Sequence, residues 1–411
     1  MTIHRHINHN DMRNRNLALI LSYLHQNSPI SRAELSSQLG INKASISTTV
    51  RELINEGIVI EIGQKTGVQD VGHPSIDLMI NPDSGRVIGV NLGSDNVVAI
   101  VTDMAPNILW RKEIPFTGIS ESSEILGQVK NIINEACMVA RSYHIPIFGL
   151  GFGLPGMLDI ETNTLLAALE FGWRDIDLNP LMKGNEDIRF FTGNEAHMAA
   201  MGESYFGIPF KSRAALYINW GVELSGGIII NENVVPGGLG LAGEIGHFSL
   251  DPDGDICSCG IKGCWNTLVN LQSIYRRIRN SINSGKTSRI VDLVNNQMDQ
   301  ISLRMVLQCA FQNDPIVLEA LNETGKWLGI GIANFINVLN PELVIVGGPI
   351  SQVYNLISSA ILNEVNHRAL PWQRNGCQIR LAQFRQDAGL IGAVATVIWN
   401  LLNNPDGRLR T

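Results

Sequence analysis

One histidine and three cysteines, His247, Cys257, Cys259 and Cys264, fall inside eighteen residues of the sequence. Ligands of this softness at this spacing fit a closed tetrahedral Cys3His zinc site. Four protein ligands leave no position for bound water, so the zinc is expected to be structural, one ion per chain. Gly254, Gly260 and Gly263 would let the loop fold around it. The other cysteines, Cys137, Cys309 and Cys377, stand far apart. A metal site plus scattered thiols suits a reducing compartment, so the chain is expected to be cytoplasmic.

A second set of residues suits nucleic acid. Lys43, Ser45, Ser47, Thr48, Thr49 and Arg51 are short hydroxyl donors and cations with no acid among them until Glu52. Ile46, Val50 and Leu53 fall at i, i+4 and i+7, so they form the buried face of the same helix. Asn42 can cap this helix, and Gly40 can end the one before it. That earlier helix starts at Ser31-x-x-Glu34, a capping box. Two helices around a tight turn, the second with a polar free face, give helix-turn-helix geometry. Strands at Ile58–Ile62 and Ser75–Ile80 would add a wing, with Lys65 and His73 at the DNA.

The rest of the chain must position these groups. From residue 81 the texture is apolar, β-branched and glycine-rich. A hairpin (87–103), a helical stretch (121–143) and a buried strand (147–153) are followed by a second run of the same kind. In that run, strands at 215–219 and 226–230 precede helices at 273–284 and 315–339 and a buried strand at 343–348. This repetition predicts an α/β chain of two related lobes with a cleft between them. The glycines at strand ends, Gly93, Gly153, Gly221 and Gly347, are expected to line that cleft. No run of about twenty uncharged apolar residues is present, so no membrane span is expected. The net charge of −7 over 411 residues argues on its face against a nucleic-acid binder. Its distribution removes the objection, because residues 1–51 carry six basic residues against two acidic ones.

Gly243-Glu-Ile-Gly-His247 followed by Cys-x-Cys-Gly-x-x-Gly-Cys resembles the zinc signature of the ROK family, which groups bacterial sugar repressors with sugar kinases. Gly153-Leu-Pro-Gly156, Asn194-Glu-Ala-His197 and Asn340-Pro-Glu-Leu-Val-Ile-Val-Gly-Gly348 are similar to further motifs of that family. The resemblance implies a two-lobed actin-like (ribonuclease H-like) sugar-kinase fold behind an N-terminal winged helix-turn-helix. It divides the chain into a DNA-binding domain (1–80), a first lobe (81–194 plus 385–411) and a second lobe (195–384) carrying the zinc loop. It also implies that Gly156, Asn194, Glu195, Glu244 and His247 contact a sugar. Carboxylates are suitable acceptors for vicinal hydroxyls, and one nitrogen of His247 can face the sugar while the other binds zinc.

Kinases of the family carry Asp-Leu-Gly-Gly-Thr where this chain has Asn91-Leu-Gly-Ser-Asp95, and Gly-Thr-Gly where it has Gly221-Val-Glu223. Losing one carboxylate near Mg²⁺ and placing two acids beside a triphosphate opposes nucleotide binding. No catalytic residue is therefore assigned. The expected function is a sugar-responsive transcriptional regulator, a repressor relieved by a sugar, acting as a homodimer on a DNA operator. The alternatives are an aldose kinase with a fused DNA-binding domain and a regulator controlled by docking to a transport protein. Asn266 replaces a family glutamate and His73 a family arginine, which leaves the effector open. Aldoses such as xylose or glucose are the first to try.

Overall fold

The computed structural model describes residues 9–64, 76–116, 121–207 and 212–403. At the N-terminus, helices His9–Asn27, Arg32–Leu39 and Lys43–Asn55 precede an antiparallel pair of strands, Val59–Gln64 and Ile76–Ile80. The local chemistry sets their limits. Ser31 caps the second helix in a reciprocal capping box with Glu34, and Gly40 closes it at φ 65°. The Asn42 side chain accepts the Ser45 N–H to start the third. Leu35, Ile46, Val50 and Leu53 are at most 2 % exposed, each worth about 1.5–3 kcal/mol of burial. The strand pair sits one to two residues later than the sequence suggests. It gains a third member, Ile30–Ser31, through Ile30 opposite Leu78.

Two five-stranded sheets form the body. In the first, Phe190–Asn194, Ile147–Leu154, Arg86–Leu92, Asn96–Thr102 and Ile108–Pro115 lie side by side. In the second the order is Asn233–Val234, Leu224–Ile230, Ala214–Trp220, Leu343–Gly347 and Gln378–Leu381. Each is an antiparallel hairpin extended by parallel strands, as the repeated sequence pattern requires. Helix Ser122–Ser142 buries Val129, Ile132 and Ile133 against the first sheet, and helix Pro315–Leu339 lies in the core of the second. A small sheet of Met157–Asp159, Thr164–Ala168 and Trp173–Asp177 is an addition that the sequence reading does not contain.

Two helices tie these parts together. Ala388–Asn403 packs on the first sheet and crosses Glu195–Phe206 closely. A Cβ added at Gly392 would lie 1.8 Å from the Met198 carbonyl oxygen, so only glycine permits this crossing. The N-terminal helix joins the same core: Ile20, Leu21 and Leu24 are clustered with Val394, Ile398 and Leu402. The connection at residue 81 is also fixed. Asn81 Nδ2 donates to the Gly57 carbonyl at 2.7 Å, and the Met104 N–H donates to the Pro82 carbonyl at 3.1 Å. Among the described residues, no helix is long and apolar enough to cross a membrane.

Candidate functional site

The predicted ligand cluster is assembled. The ligand atoms of His247, Cys257, Cys259 and Cys264 all lie within 4.8 Å of one another. Cys259 and Cys264 sulfurs are 3.6 Å apart, and His247 Nδ1 is 3.6 Å from Cys257 Sγ. Bonds of about 2.0–2.3 Å to a tetrahedral ion require separations of roughly this size. The cluster is thus suited to a structural metal such as zinc. Gly263, at φ 71°, is required for the loop, because a Cβ there would overlap the Asp251 carbonyl oxygen. With Nδ1 facing the sulfurs, His247 turns Nε2 toward Glu244 Oε2, 3.8 Å away.

That second face of His247 lines a narrow cavity, together with Gly156, Asn194, Glu195, Glu244 and Ser225. All five residues expected at a sugar therefore line one cavity. Asn194 is heavily committed there. Its Oδ1 caps helix Glu195–Phe206 by accepting from Ala196 N–H at 2.8 Å, and its Nδ2 donates to the Gly156 carbonyl at 2.9 Å. It fixes the cavity wall as well as facing the cavity. Glu195 Oε1 accepts from Asn219 Nδ2 at 2.7 Å. Asn266, expected near the sugar, is 2 % exposed and accepts the Leu224 N–H at 2.8 Å. It braces the strand beneath the cavity.

Two further carboxylates, Glu170 and Glu223, complete the lining. Glu170 was not singled out from sequence. It occupies the turn joining Thr164–Ala168 to Trp173–Asp177, pinned by the Phe171 N–H to the Ala168 carbonyl at 3.2 Å. Stacking of Phe171 on Trp173, centroids 4.6 Å apart, also holds this turn. Burial, then the charges of Glu195, Glu223 and Asp95, push Glu170 up to about 8. Burial pushes Glu195 up to about 7, against hydrogen bonds from Asn219 and Asn91. Burial and Glu223 together hold Glu244 at about 7.

Glu170, Glu195 and Glu223 also border a neighbouring cleft with Asn91, Gly93, Ser94, Asp95, Gly221 and Gly348. The two loops singled out from the sequence as phosphate-loop counterparts therefore face one space. Gly93 and Gly221 line it, as expected of strand-end glycines. Gly153 and Gly347 do different work: a Cβ there would strike Asn91 Oδ1 or the Tyr217 hydroxyl.

On helix Lys43–Asn55, Lys43, Ser47, Thr48 and Arg51 are exposed, whereas Ser45 and Thr49 are half-buried. The free face is cationic and hydroxylated, and Ile46, Val50 and Leu53 hold it by their burial. Lys65 and His73 lie outside the described residues.

A winged helix-turn-helix joined to a two-lobed body of sugar-kinase type, with a ligand cavity beside a Cys3His cluster, defines the class. The chain matches the model for winged helix-turn-helix DNA-binding over residues 13–60 and the ROK family model over residues 87–399. It belongs to the ROK family. It is 30 % identical over 399 residues to the "Putative xylose repressor" of Caldicellulosiruptor sp. (strain Rt8B.4), covering 97 % of this chain and 99 % of that one. Among solved structures, a ROK family transcriptional regulator described as a homolog of the Escherichia coli MLC protein superposes with a TM-score of 0.79. That match has 23 % identity and covers 95 % and 98 % of the two chains. A ROK family glucokinase from Streptomyces griseus, solved with glucose and AMPPNP, matches 76 % of this chain and 99 % of its own. Its TM-score is 0.67 at 27 % identity.

Proposed function

We propose that this chain is a sugar-responsive transcriptional repressor. It binds an operator through paired Lys43–Asn55 helices and releases it when a sugar occupies the cavity beside the metal loop. The observation that carries this reading is one helix, Glu195–Phe206. It begins at Glu195 in the cavity and ends at Tyr205 and Phe206, which pack against His25 of the N-terminal helix. Twelve residues span about 18 Å, so a rigid element joins the ligand wall to the DNA-reading head.

The joint itself is suited to switching. His25 Nε2 donates to the Met104 carbonyl at 3.1 Å. Burial lowers its pKa to about 4, so the ring is neutral. His25 Nδ1 and the Tyr205 hydroxyl are buried without partners. Idle buried polar atoms cost about 1–3 kcal/mol each, and opening the joint to water would satisfy both. A ligand that binds the open and closed arrangements unequally shifts the balance between them.

The full-length similarity to a protein named as a xylose repressor supports xylose as the first effector to try. Zinc, one ion per chain and bound by His247, Cys257, Cys259 and Cys264, would lock the imidazole of His247 while leaving Nε2 for a sugar hydroxyl. We assign the state as a homodimer, because each reading helix contacts one half-site. The domain limits proposed are 1–80 for the head, with lobes at 81–194 plus 385–411 and at 195–384. Kinase activity is the second reading. It is favoured by Glu195, whose pKa near 7 suits a general base. Asp95 and Glu223 beside the cleft oppose a triphosphate, which supports the repressor reading over it.

The test is a mobility shift of the protein on DNA from upstream of its own gene, repeated with a panel of pentoses and hexoses. Relief by one sugar is expected. DNA binding insensitive to every sugar contradicts the effector reading.

A further inference from the structure

The narrow cavity that would take the sugar does not end at its own walls. Gly156, Asn194 and Glu244 line it and also line an adjoining pocket of about 370 Å³. Leu158 of strand Met157–Asp159, Met198 and Met201 of helix Glu195–Phe206, and Val234 of strand Asn233–Val234 face that pocket. Trp399 of helix Ala388–Asn403 and Leu241, on the chain leading to Glu244, complete its apolar lining. Ile160 lines it too and is 54 % exposed, which puts it on the solvent side.

The two spaces differ in chemistry. The sugar cavity holds four glutamates and His247. In the pocket, among the described residues, Glu244 is the only acid and there is no lysine or arginine. Its polar side chains are engaged within the chain. Thr192 Oγ1 donates to Asn163 Oδ1, Thr396 Oγ1 to the Gly392 carbonyl and Asn400 Nδ2 to the Thr396 carbonyl, each at 2.9 Å. His197 Nε2 is hydrogen-bonded to the Ala242 carbonyl, and Asn233 Nδ2 donates to the Asn231 carbonyl at 2.8 Å. Such a wall offers a guest apolar contact and few hydrogen bonds. The hydroxyls of a second sugar ring would lose their water there without replacement. A hydrocarbon group has no such cost, and flexible methionines can adapt to its shape.

Resting on the sugar-cleft reading above, we propose that this pocket is a subsite for an apolar substituent on the sugar. The effector class is then an aryl or alkyl glycoside, its sugar ring among the glutamates and its hydrocarbon group beside Met201, Leu241 and Trp399. The continuity of the two spaces through Gly156, Asn194 and Glu244 selects this occupant over a separate molecule. Met198 and Met201 belong to the helix that runs to the DNA-reading head, so the hydrocarbon group bears on the same element as the sugar.

The experiment is calorimetric titration of the intact protein with free pentoses and hexoses, then with their methyl and phenyl glycosides and their disaccharides, in both anomeric forms. The phenyl glycoside of the sugar that binds is expected to be on the order of 10-fold or more tighter than the free sugar. The disaccharide is expected to stay within about 3-fold of the free sugar. Ile160→Asp and Leu241→Asp, at residues outside the sugar cavity, are expected to bind the free sugar unchanged and to lose most of the phenyl gain. Ile160→Leu is expected to keep that gain. A phenyl glycoside no tighter than the free sugar overturns the subsite and leaves the sugar site standing. An equal gain from the second sugar ring overturns its apolar character. The full phenyl gain retained in both aspartate variants overturns the assignment to this pocket, and dissociation of a dimer by those same variants would then identify a second copy as the occupant. Binding of neither free sugars nor glycosides overturns the sugar-cleft reading together with the proposal.

Discussion

Replacing Phe206 by alanine should separate ligand binding from DNA release. The Phe206 ring lies 5.4 Å from the His25 ring and 5.1 Å from the Tyr205 ring. An aromatic pair is worth about 0.5–1.5 kcal/mol beyond its buried area, and the Phe206–His25 pair is the one that crosses the joint, so its loss removes about that much from it. Coupling between two sites is typically about 1–3 kcal/mol, about 5- to 150-fold in affinity, so this contact is a large share of it. The alanine variant should therefore lose most of the coupling without touching either binding surface. Fluorescence anisotropy with labelled operator DNA, with and without saturating sugar, measures it. The unaltered protein should show a sugar-induced loss of DNA affinity within that range. Phe206→Ala should retain a sugar Kd within about 3-fold of the original yet show a DNA response of less than about 3-fold. Full relief in the variant would refute transmission through the end of helix Glu195–Phe206.

Other perturbations follow from the same structure. Arg51 is exposed on the reading helix. Arg51→Ala should weaken operator binding by about 1–3 kcal/mol if the residue meets a base, or reduce the salt slope by about 1 if it meets a phosphate. A salt-dependent anisotropy series distinguishes the two. Cys259→Ser should lower the bound zinc measured by elemental analysis and the unfolding temperature by several degrees. It should also weaken sugar binding, since His247 shares the metal loop and the cavity wall. Glu170 titrates near 8 in the folded protein against 4.5 as its ordinary value, through burial and then Glu195, Glu223 and Asp95. Between those values the unfolded chain has lost the proton that the folded chain keeps, so its contribution makes stability fall as pH rises. Urea unfolding across pH 5–8 should show a shallower decline in Glu170→Gln. A coupled assay with ATP, Mg²⁺ and aldoses should give turnover below roughly 1 s⁻¹, the low end of kinase rates.

What could be read from the sequence depended on how local its cause was. The capping box at Ser31 and Glu34, the αL stop at Gly40 and the Asn42 cap are interactions over a few residues, and they stand in the structure as expected. The Cys3His cluster is almost as local, because eighteen residues contain every ligand. Helix Pro315–Leu339 has the limits its starting proline and terminal Asn340 suggest. Glu170 was illegible for the opposite reason. Its position depends on a three-stranded sheet that folds it beside Glu195 and Glu223, and nothing in Leu169-Glu-Phe-Gly-Trp173 announces that meeting. Asn194 shows a further limit. Its type suits a hydroxyl and a helix cap equally, and only the structure reveals that Oδ1 and Nδ2 already have backbone partners. The contact of His25 with Tyr205 and Phe206 joins residues about 180 positions apart, beyond any local pattern.

Thermodynamic reciprocity provides the most direct test of regulation. If sugar and operator oppose one another through a single conformational equilibrium, each weakens the other by the same factor. Sugar affinity should be titrated on the protein alone and on the protein saturated with operator DNA, then compared with the sugar-induced loss of DNA affinity. Equal factors, both well above one, are expected. A sugar Kd unaffected by operator would contradict the coupling of this cleft to the DNA-reading head.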